Sequence, residues 1–142
     1  RSDIVWSKPN PMCESVKARP TRSHEFCFLM SRSEKYFYDS EAVMEMTTEL
    51  RNMRDVVTIN KPAYPEAHFA TMPTELAEIC IKAGSREGDL VLDPFGGAGT
   101  TGLCADRLQR NSLLIELNPE YAALAERRIR GDAPLFAEVA VK

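Results

Sequence analysis

The chain has 142 residues, and its hydrophobic content of 44% is sufficient for one globular domain with a single packed core. A formal net charge of -3 excludes an overall basic surface, so any contact with nucleic acid must come from a local patch. Residues 1–35 contain seven basic and four acidic side chains and leave the rest of the chain acidic. This basic segment either faces a polyanion or is ordinary solvated surface.

Cysteine usage and hydropathy predict a cytoplasmic protein without a membrane span. The four cysteines form no CxxC pair and lie mostly in apolar runs, which predicts buried thiols in a reducing compartment. No run approaches the roughly 20 apolar residues of a transmembrane helix, and no leader opens the chain. The chain begins at Arg1 rather than Met and reaches a strand-like run almost at once, which we interpret as a cut through a larger protein. The cysteines are Cys13, Cys27, Cys80 and Cys104.

The first segment is predicted to be a short strand followed by a long polar loop. Residues 4–6 are apolar and suit a strand. Pro9 and Pro11 remove backbone donors and favour extended backbone, so the loop is expected to continue to about residue 23.

Two further strands and a weak helix are predicted before residue 60. Residues 26–30 form an uninterrupted apolar run that predicts a buried strand, and residues 36–38 are a candidate partner for it. Residues 42–52 are weakly helical. Residues 56–59 are mostly β-branched and predict a short strand.

The pattern becomes clearer after residue 72. Pro73 suits the first turn of a helix whose apolar residues recur at helical spacing until Gly84. Residues 90–92 are apolar on both faces, which is typical of a parallel strand covered by helices. A glycine-rich turn over residues 94–99 follows this strand.

A helix, a strand and a second helix complete the chain. The first helix is predicted over residues 100–109 and the strand over residues 113–115. Pro119 then suits the first turn of a helix that ends near Gly131. Alternation of strands and helices predicts an α/β fold with a parallel sheet and right-handed crossovers.

The glycine-rich turn predicts a nucleotide-type cofactor. Residues 97–102 match the pattern G-x-G-x-x-G between a strand and a helix, and Glu116 follows at the end of the next strand. Glu116 is therefore placed to accept hydrogen bonds from two ribose hydroxyls. Without a cofactor, the same glycines would serve a tight turn with close packing of strand and helix.

The residues before the glycines favour S-adenosylmethionine over a dinucleotide. A pyrophosphate needs free backbone amides and no fixed anion nearby, whereas Asp93 and Pro94 contribute a carboxylate and remove a donor. S-adenosylmethionine has no phosphate, carries a cationic sulfonium, and suits Asp93, Phe95 and Glu116. An NAD-binding unit stays open if Asp93 points away from the site.

Four segments together resemble one protein family. Residues 91–100 (VLDPFGGAGT) are similar to the cofactor motif of DNA methyltransferases that act on the exocyclic amine of adenine or cytosine. Residues 115–121 resemble the ribose-binding segment of that family, and residues 68–76 resemble the motif that precedes the first strand of its cofactor half. The N-terminal segment, at residues 3–11, 19–21 and 24–25, is similar to the end of the catalytic half in the β group, where the cofactor half comes last.

The resemblance implies an incomplete Rossmann-like methyltransferase fold that binds S-adenosylmethionine and DNA without a metal. Asn118 lies in the implied cofactor site and equally suits the N-cap of the last helix. His68 likewise has the alternative of a capping or surface histidine. The implied cofactor-binding residues are His68, Phe69, Thr71, Asp93, Phe95, Gly97, Gly99, Thr100, Glu116 and Asn118. The implied DNA-facing residues are Lys8, Asn10, Arg19 and Thr21, all of which also suit a solvated turn.

The sequence departs from the family at the catalytic motif. That motif is Asp, Asn or Ser followed by Pro-Pro and an aromatic residue, and no Pro-Pro pair occurs in the 142 residues. We therefore expect no catalytic residue in this chain, and a sheet without one central and one edge strand. Residues 1–38 would end the catalytic half, residues 39–60 would be a shortened target-recognition region, and residues 61–142 would bind the cofactor.

Two functional hypotheses follow from this departure. Either the chain is part of a working DNA methyltransferase whose catalytic half lies elsewhere, or it is a silent domain that binds cofactor or assembles with a partner. Exposed strand edges predict a homo-oligomer or a complementing chain in both cases.

Overall fold

The computed structural model describes residues 1–11, 14–44, 51–60, 72–132 and 138–141. Within these residues the chain alternates between short strands and helices. The first four elements are β1 (Ser2–Ser7), β2 (His24–Leu29), α1 (Ser40–Met44) and β3 (Val56–Thr58). The next five are α2 (Thr74–Gly84), β4 (Leu90–Asp93), α3 (Thr100–Arg107), β5 (Asn111–Leu114) and α4 (Pro119–Asp132).

The first three strands form one sheet in the order β2-β1-β3. β1 is antiparallel to β2 and parallel to β3, so it is the central strand of this sheet. One face carries Trp6, which is buried against Ile59 and two α2 residues, Leu76 and Ile79. The Trp6 indole N–H donates to the carbonyl of Ile59 at 2.9 Å, which satisfies the one polar atom of this buried side chain.

The other face of this sheet is open to solvent. Phe26 and Phe28 are 53% and 65% exposed, and their rings stack with centroids 6.1 Å apart. The prediction of a buried strand over residues 26–30 is therefore wrong in burial, although a strand is present. Successive side chains of a strand point to opposite faces, and α2 covers only the face that carries Trp6.

Residues 36–38 do not form the expected partner strand. Instead, the Arg1 guanidinium lies 5.3 Å from the centroid of the Tyr36 ring, and the Arg86 guanidinium lies 4.2 Å from that of Phe37. Side-chain hydrogen bonds from Ser31 and Ser33 to nearby carbonyls turn the chain away after β2. Local turn contacts and stacking on arginine thus replace strand pairing.

The last two strands, β4 and β5, form a separate parallel pair, as the sequence predicted. Val91 packs against the cluster formed by α2 and α3, whereas Leu90, Leu92 and Leu113 are 64%, 59% and 51% exposed on the opposite face. Within the described residues, the expectation that helices cover both faces of β4 is therefore wrong. The separation of the described strands into two sheets agrees with an incomplete Rossmann-like sheet.

The α2 helix contacts both halves of the molecule. Leu76 and Ile79 face Trp6 of the first sheet, while Ala77 and Ile81 pack against α3 at Cys104. Because α2 packs against both the first sheet and α3, its apolar residues occupy two faces of the helix.

The cysteines are less uniform than expected. Cys104 is fully buried and Cys27 is half-buried, but Cys80 is exposed, so the prediction of buried thiols is wrong for Cys80. Cys13 lies outside the described residues. No helix in the described part of the chain is long and apolar enough to span a membrane.

Candidate cofactor site

The carboxylate of Asp93 organises the start of the glycine-rich turn. It ends β4, where its backbone carbonyl accepts the Ile115 N–H at 2.9 Å. One carboxylate oxygen accepts the Phe95 N–H at 2.9 Å, and the other accepts the Thr101 hydroxyl at 2.6 Å. Asp93 thereby joins the strand, the turn and the first turn of α3, and its carboxylate stays at the mouth of the site.

The carboxylate of Glu116 organises the other side of the mouth. It accepts the Gly97 N–H at 2.7 Å and the Asn118 N–H at 2.8 Å. These two bonds, first that from Asn118 and then that from Gly97, hold the pKa of Glu116 below its ordinary value because both stabilise the charged form. Glu116 is therefore an anion anchored at the carboxyl end of β5.

The glycines of the turn are required by backbone shape and by contact. Gly97 and Gly99 have φ values of 52° and 75°, in the region that favours glycine. A Cβ atom on Gly99 would lie only 2.6 Å from the Cβ of Ala125 in α4. The turn thus lies directly against α4, and a larger residue at position 99 would separate them.

The remaining residues of the predicted cofactor set take different positions. Phe95 is 86% exposed beside the turn. Thr100 begins α3 and is buried. The Asn118 side chain accepts the Glu120 N–H at 2.9 Å and caps α4, so the geometry supports its structural role. His68, Phe69 and Thr71 lie outside the described residues.

Two residues of the site were not found by sequence reasoning. Thr101 fixes Asp93 through its hydroxyl, and its place in the motif, one residue after Thr100, was the available signal. Arg128 of α4 donates to the Ala98 carbonyl and to the Thr100 hydroxyl. No local pattern marks Arg128, because its partners lie about 30 residues earlier in the chain.

The predicted DNA-facing residues all belong to one loop. The Lys8 N–H donates to the Ser23 carbonyl at 2.7 Å and closes the base of this loop. The Lys8 ammonium contacts the Glu25 carboxylate at 2.6 Å, and Arg19 contacts that of Glu14 at 2.8 Å. The loop therefore carries paired charges, and its other two predicted residues, Asn10 and Thr21, are exposed.

The β-strand, glycine turn, helix and acidic strand end described above define a Rossmann-like α/β unit of the methyltransferase type. The sequence model of the DNA methylase family, of the N6/N4 type, matches residues 1–127. This chain therefore belongs to the DNA methylase family.

Curated relatives of the chain are type II methyltransferases. The chain is 54% identical over 134 residues to methyltransferase M.Cfr9I of Citrobacter freundii, and 50% identical over 133 residues to M.SmaI of Serratia marcescens. These alignments cover 93% and 91% of this chain but only 45% and 46% of the relatives. The chain thus spans about half the length of the curated relatives that it matches.

Solved structures give the same result for the fold. The PvuII DNA methyltransferase, named as cytosine-N4-specific, superimposes with a TM-score of 0.76 at 25% identity, over 89% of this chain and 49% of that chain. A complex of M1.HpyAVI with S-adenosylmethionine superimposes with a TM-score of 0.63 at 29% identity, over 91% of this chain and 61% of that chain. The matched part is thus about half of the first of these chains and 61% of the second.

Proposed function

We propose that this chain binds S-adenosylmethionine at the carboxyl ends of β4 and β5. The observation that carries the proposal is how the turn satisfies its backbone N–H groups. Phe95 and Gly97 donate to the carboxylates of Asp93 and Glu116. Gly96 and Gly99 donate to backbone carbonyls. Because these four amides already have partners inside the protein, they are not available to a phosphate.

The charge of the site supports the same choice of cofactor. Two carboxylates at neighbouring strand ends repel a pyrophosphate and attract the sulfonium and ammonium groups of S-adenosylmethionine. Each oxygen of Glu116 accepts one N–H in this structure, which leaves lone pairs for the two ribose hydroxyls. The exposed ring of Phe95 offers an apolar surface at the same mouth. The residues present therefore fit S-adenosylmethionine better than NAD.

We further propose that the intact enzyme methylates the exocyclic amine of adenine or cytosine in DNA. When bound, S-adenosylmethionine supplies the electrophilic methyl group. Asp93, Glu116 and the glycine turn would hold and orient the cofactor in the site. The 142 residues contain no Pro-Pro pair, so we assign the groups that hold the amine to polypeptide outside this sequence.

The loop between β1 and β2 is the proposed DNA-facing part of this chain. Lys8 and Arg19 supply positive charge there, and Asn10 and Thr21 supply polar side chains. Since Lys8 and Arg19 form ion pairs with acidic residues, DNA would have to compete for them. We therefore expect a weak, salt-dependent contribution from this loop.

Assembly with further polypeptide is the remaining part of the proposal. The first sheet leaves Phe26 and Phe28 exposed, and the second leaves Leu90 and Leu92 exposed. Apolar sheet faces of this kind favour association, either between copies of this chain or with a complementing chain. The same faces would also serve a catalytically silent domain that only assembles with a partner.

Titration calorimetry with S-adenosylmethionine and with NAD tests cofactor choice. We expect binding of S-adenosylmethionine and its loss in E116Q, which removes the charge but keeps the shape. E120Q is the matched control, because Glu120 lies four residues further on and its side chain has no role in the proposed site. Tight binding of NAD with no response to S-adenosylmethionine would refute the proposal.

Methyl incorporation into DNA separates the two roles of the chain. We expect no turnover by this chain alone, and turnover after addition of the missing half of a related methyltransferase. Clear turnover by this chain alone would contradict the assignment of catalysis to other polypeptide. Cofactor binding without turnover in any combination would favour the silent domain.

A further inference from the structure

Arg128 reaches from α4 to the tip of the glycine-rich turn. Its guanidinium donates to the backbone carbonyl of Ala98 and, at 3.4 Å, to the hydroxyl of Thr100. Ala125 lies three residues earlier on the same face of α4 and touches Gly99. The α4 helix therefore contacts the three consecutive residues 98–100 through two of its own side chains.

The guanidinium of Arg128 lies close to the N-terminus of α3. The start of a helix carries partial positive charge, and Thr100 is the first residue of α3. The proposed ligand of the site is itself cationic. The contribution assigned to Arg128 is therefore that of its hydrogen bonds to the turn, not that of its charge.

The hydrogen bonds of Arg128 complete the fixation of the turn. Asp93 holds the turn at the Phe95 N–H, and Glu116 holds it at the Gly97 N–H. Both carboxylates act on donors, and both approach from the strand side. Arg128 acts on an acceptor, the Ala98 carbonyl, and approaches from α4. The turn is thus fixed from two sides, and the last two contacts fall on the consecutive residues Gly97 and Ala98.

We propose that Arg128 is a positioning residue of the cofactor site. It holds residues 98–100 against α4 and so fixes the distance between the Gly97 amide and the Glu116 carboxylate. This inference rests on the proposal that the chain binds S-adenosylmethionine. Arg128 acts through the turn. The proposal assigns it no direct contact with the ribose or the methionine group of the cofactor.

Three variants on α4 test the proposal by calorimetry with S-adenosylmethionine. R128M keeps an unbranched side chain but removes the guanidinium donors, and we expect affinity to fall by about tenfold or more. R128K retains one charged donor and should bind more tightly than R128M. R130M is the matched control, because the partners of Arg130 are Glu126 at 2.8 Å and the Val139 carbonyl at 2.9 Å rather than residues 98–100. We expect its affinity to stay within about twofold of the starting protein.

Amide hydrogen exchange, measured without ligand, distinguishes a local effect on the turn from a change in the global stability of the protein. In R128M, the Gly97 and Gly99 amides should exchange faster than in the starting protein, while the amides of α2 keep their rates. R130M should change neither group. Uniformly faster exchange across the chain would indicate global destabilisation and would overturn a positioning role.

The two measurements separate failure of this inference from failure of the proposed function. Binding by R128M within twofold of the starting protein, or equal losses in R128M and R128K, would overturn the role of Arg128. If the starting protein does not bind S-adenosylmethionine, the proposed function fails. The exchange rates at Gly97 and Gly99 then still decide whether Arg128 holds the turn.

Discussion

The amide nitrogen of Gly97 lies 2.7 Å from a carboxylate oxygen of Glu116, although 19 residues separate them in the chain. This bond joins the turn after β4 to the end of β5. It explains how a glycine motif and a distant acidic residue form one site, since the carboxylate shapes the turn before any ligand arrives. The carboxylate that we propose binds the ligand is thus also the structural anchor of the turn.

The titration of Glu116 is the first testable consequence. Hydrogen bonds from the Asn118 and Gly97 amides lower its pKa, so its carboxyl should titrate below the value of about 4.3 that is usual for glutamate. Carbon NMR of the carboxyl group during acid titration measures this directly. Because the pKa is lowered in the folded state, the stabilising effect is present above the unfolded-state value and is lost as the pH falls through the folded-state value. A midpoint at or above the usual value would contradict the hydrogen-bonding scheme.

Replacement of Gly99 by alanine should destabilise the protein. The new methyl group would lie 2.6 Å from the Cβ of Ala125, and φ at this position is 75°. We expect a loss of about 2 kcal/mol or more in the free energy of unfolding, measured by urea denaturation. G84A is the control, because a Cβ on Gly84 meets nothing within 4 Å and should leave stability unchanged or slightly increased. Equal midpoints for G99A and the starting protein would show that α4 does not lie against the turn.

Replacement of Thr101 by valine tests the support of Asp93. Valine keeps the shape of threonine but removes the hydroxyl that donates to the Asp93 carboxylate at 2.6 Å. We expect the affinity for S-adenosylmethionine to fall by about fivefold, because Asp93 loses one of two donors that fix it. Serine at this position keeps the donor, so T101S should bind as the starting protein does. Equal binding by T101V and T101S would show that the Thr101 hydroxyl does not contribute to cofactor binding.

The ion pair between Arg107 and Asp132 predicts a modest dependence of stability on pH. Two hydrogen bonds of 2.7 and 2.6 Å join α3 to the end of α4, and they lower the pKa of Asp132. The pair therefore stabilises the fold above the unfolded-state pKa of aspartate, and this contribution is lost as the pH falls through the lower folded-state value. Because Arg107 is 43% exposed, D132N should cost less than about 1 kcal/mol at pH 7.

Thermal unfolding at a series of pH values checks this expectation. The difference between D132N and the starting protein should shrink toward zero in acid. D106N, on α3 beside Arg107, is the matched control, because it removes one carboxylate and leaves the pair of Arg107 and Asp132 intact. A difference that grows in acid would have the wrong sign for a lowered pKa.

Sequence reasoning succeeded where the determinants of structure are local. The strand, glycine turn and helix around Asp93 follow from apolar runs, glycine conformations and the order of elements, and so does the capped helix that begins at Pro119. Sequence reasoning failed for burial, because a strand side chain is buried only if another element packs on its face of the sheet. Phe26 and Leu92 have the composition of core residues, yet they are exposed because no described element covers them.

Contacts between distant side chains were the other limit. The pairing of Lys8 with Glu25 and the reach of Arg128 to the Ala98 carbonyl depend on the tertiary arrangement of elements. Neither Lys8 nor Arg128 stands in a periodic sequence pattern that would predict its partner. Residues 36–38 failed as a strand for a related reason, since Arg86 from a distant segment stacks on Phe37.

The contact of Gly99 with Ala125 restricts how these two positions can diverge over time. A side chain at one position occupies the space that the other already fills, so neither site can drift toward a bulkier residue independently. Among remote homologues, small residues should therefore persist at both places together, or change in compensating pairs that shift the last helix. Mutational tolerance in this half of the molecule is set jointly by a loop and a helix that are separated by a whole strand.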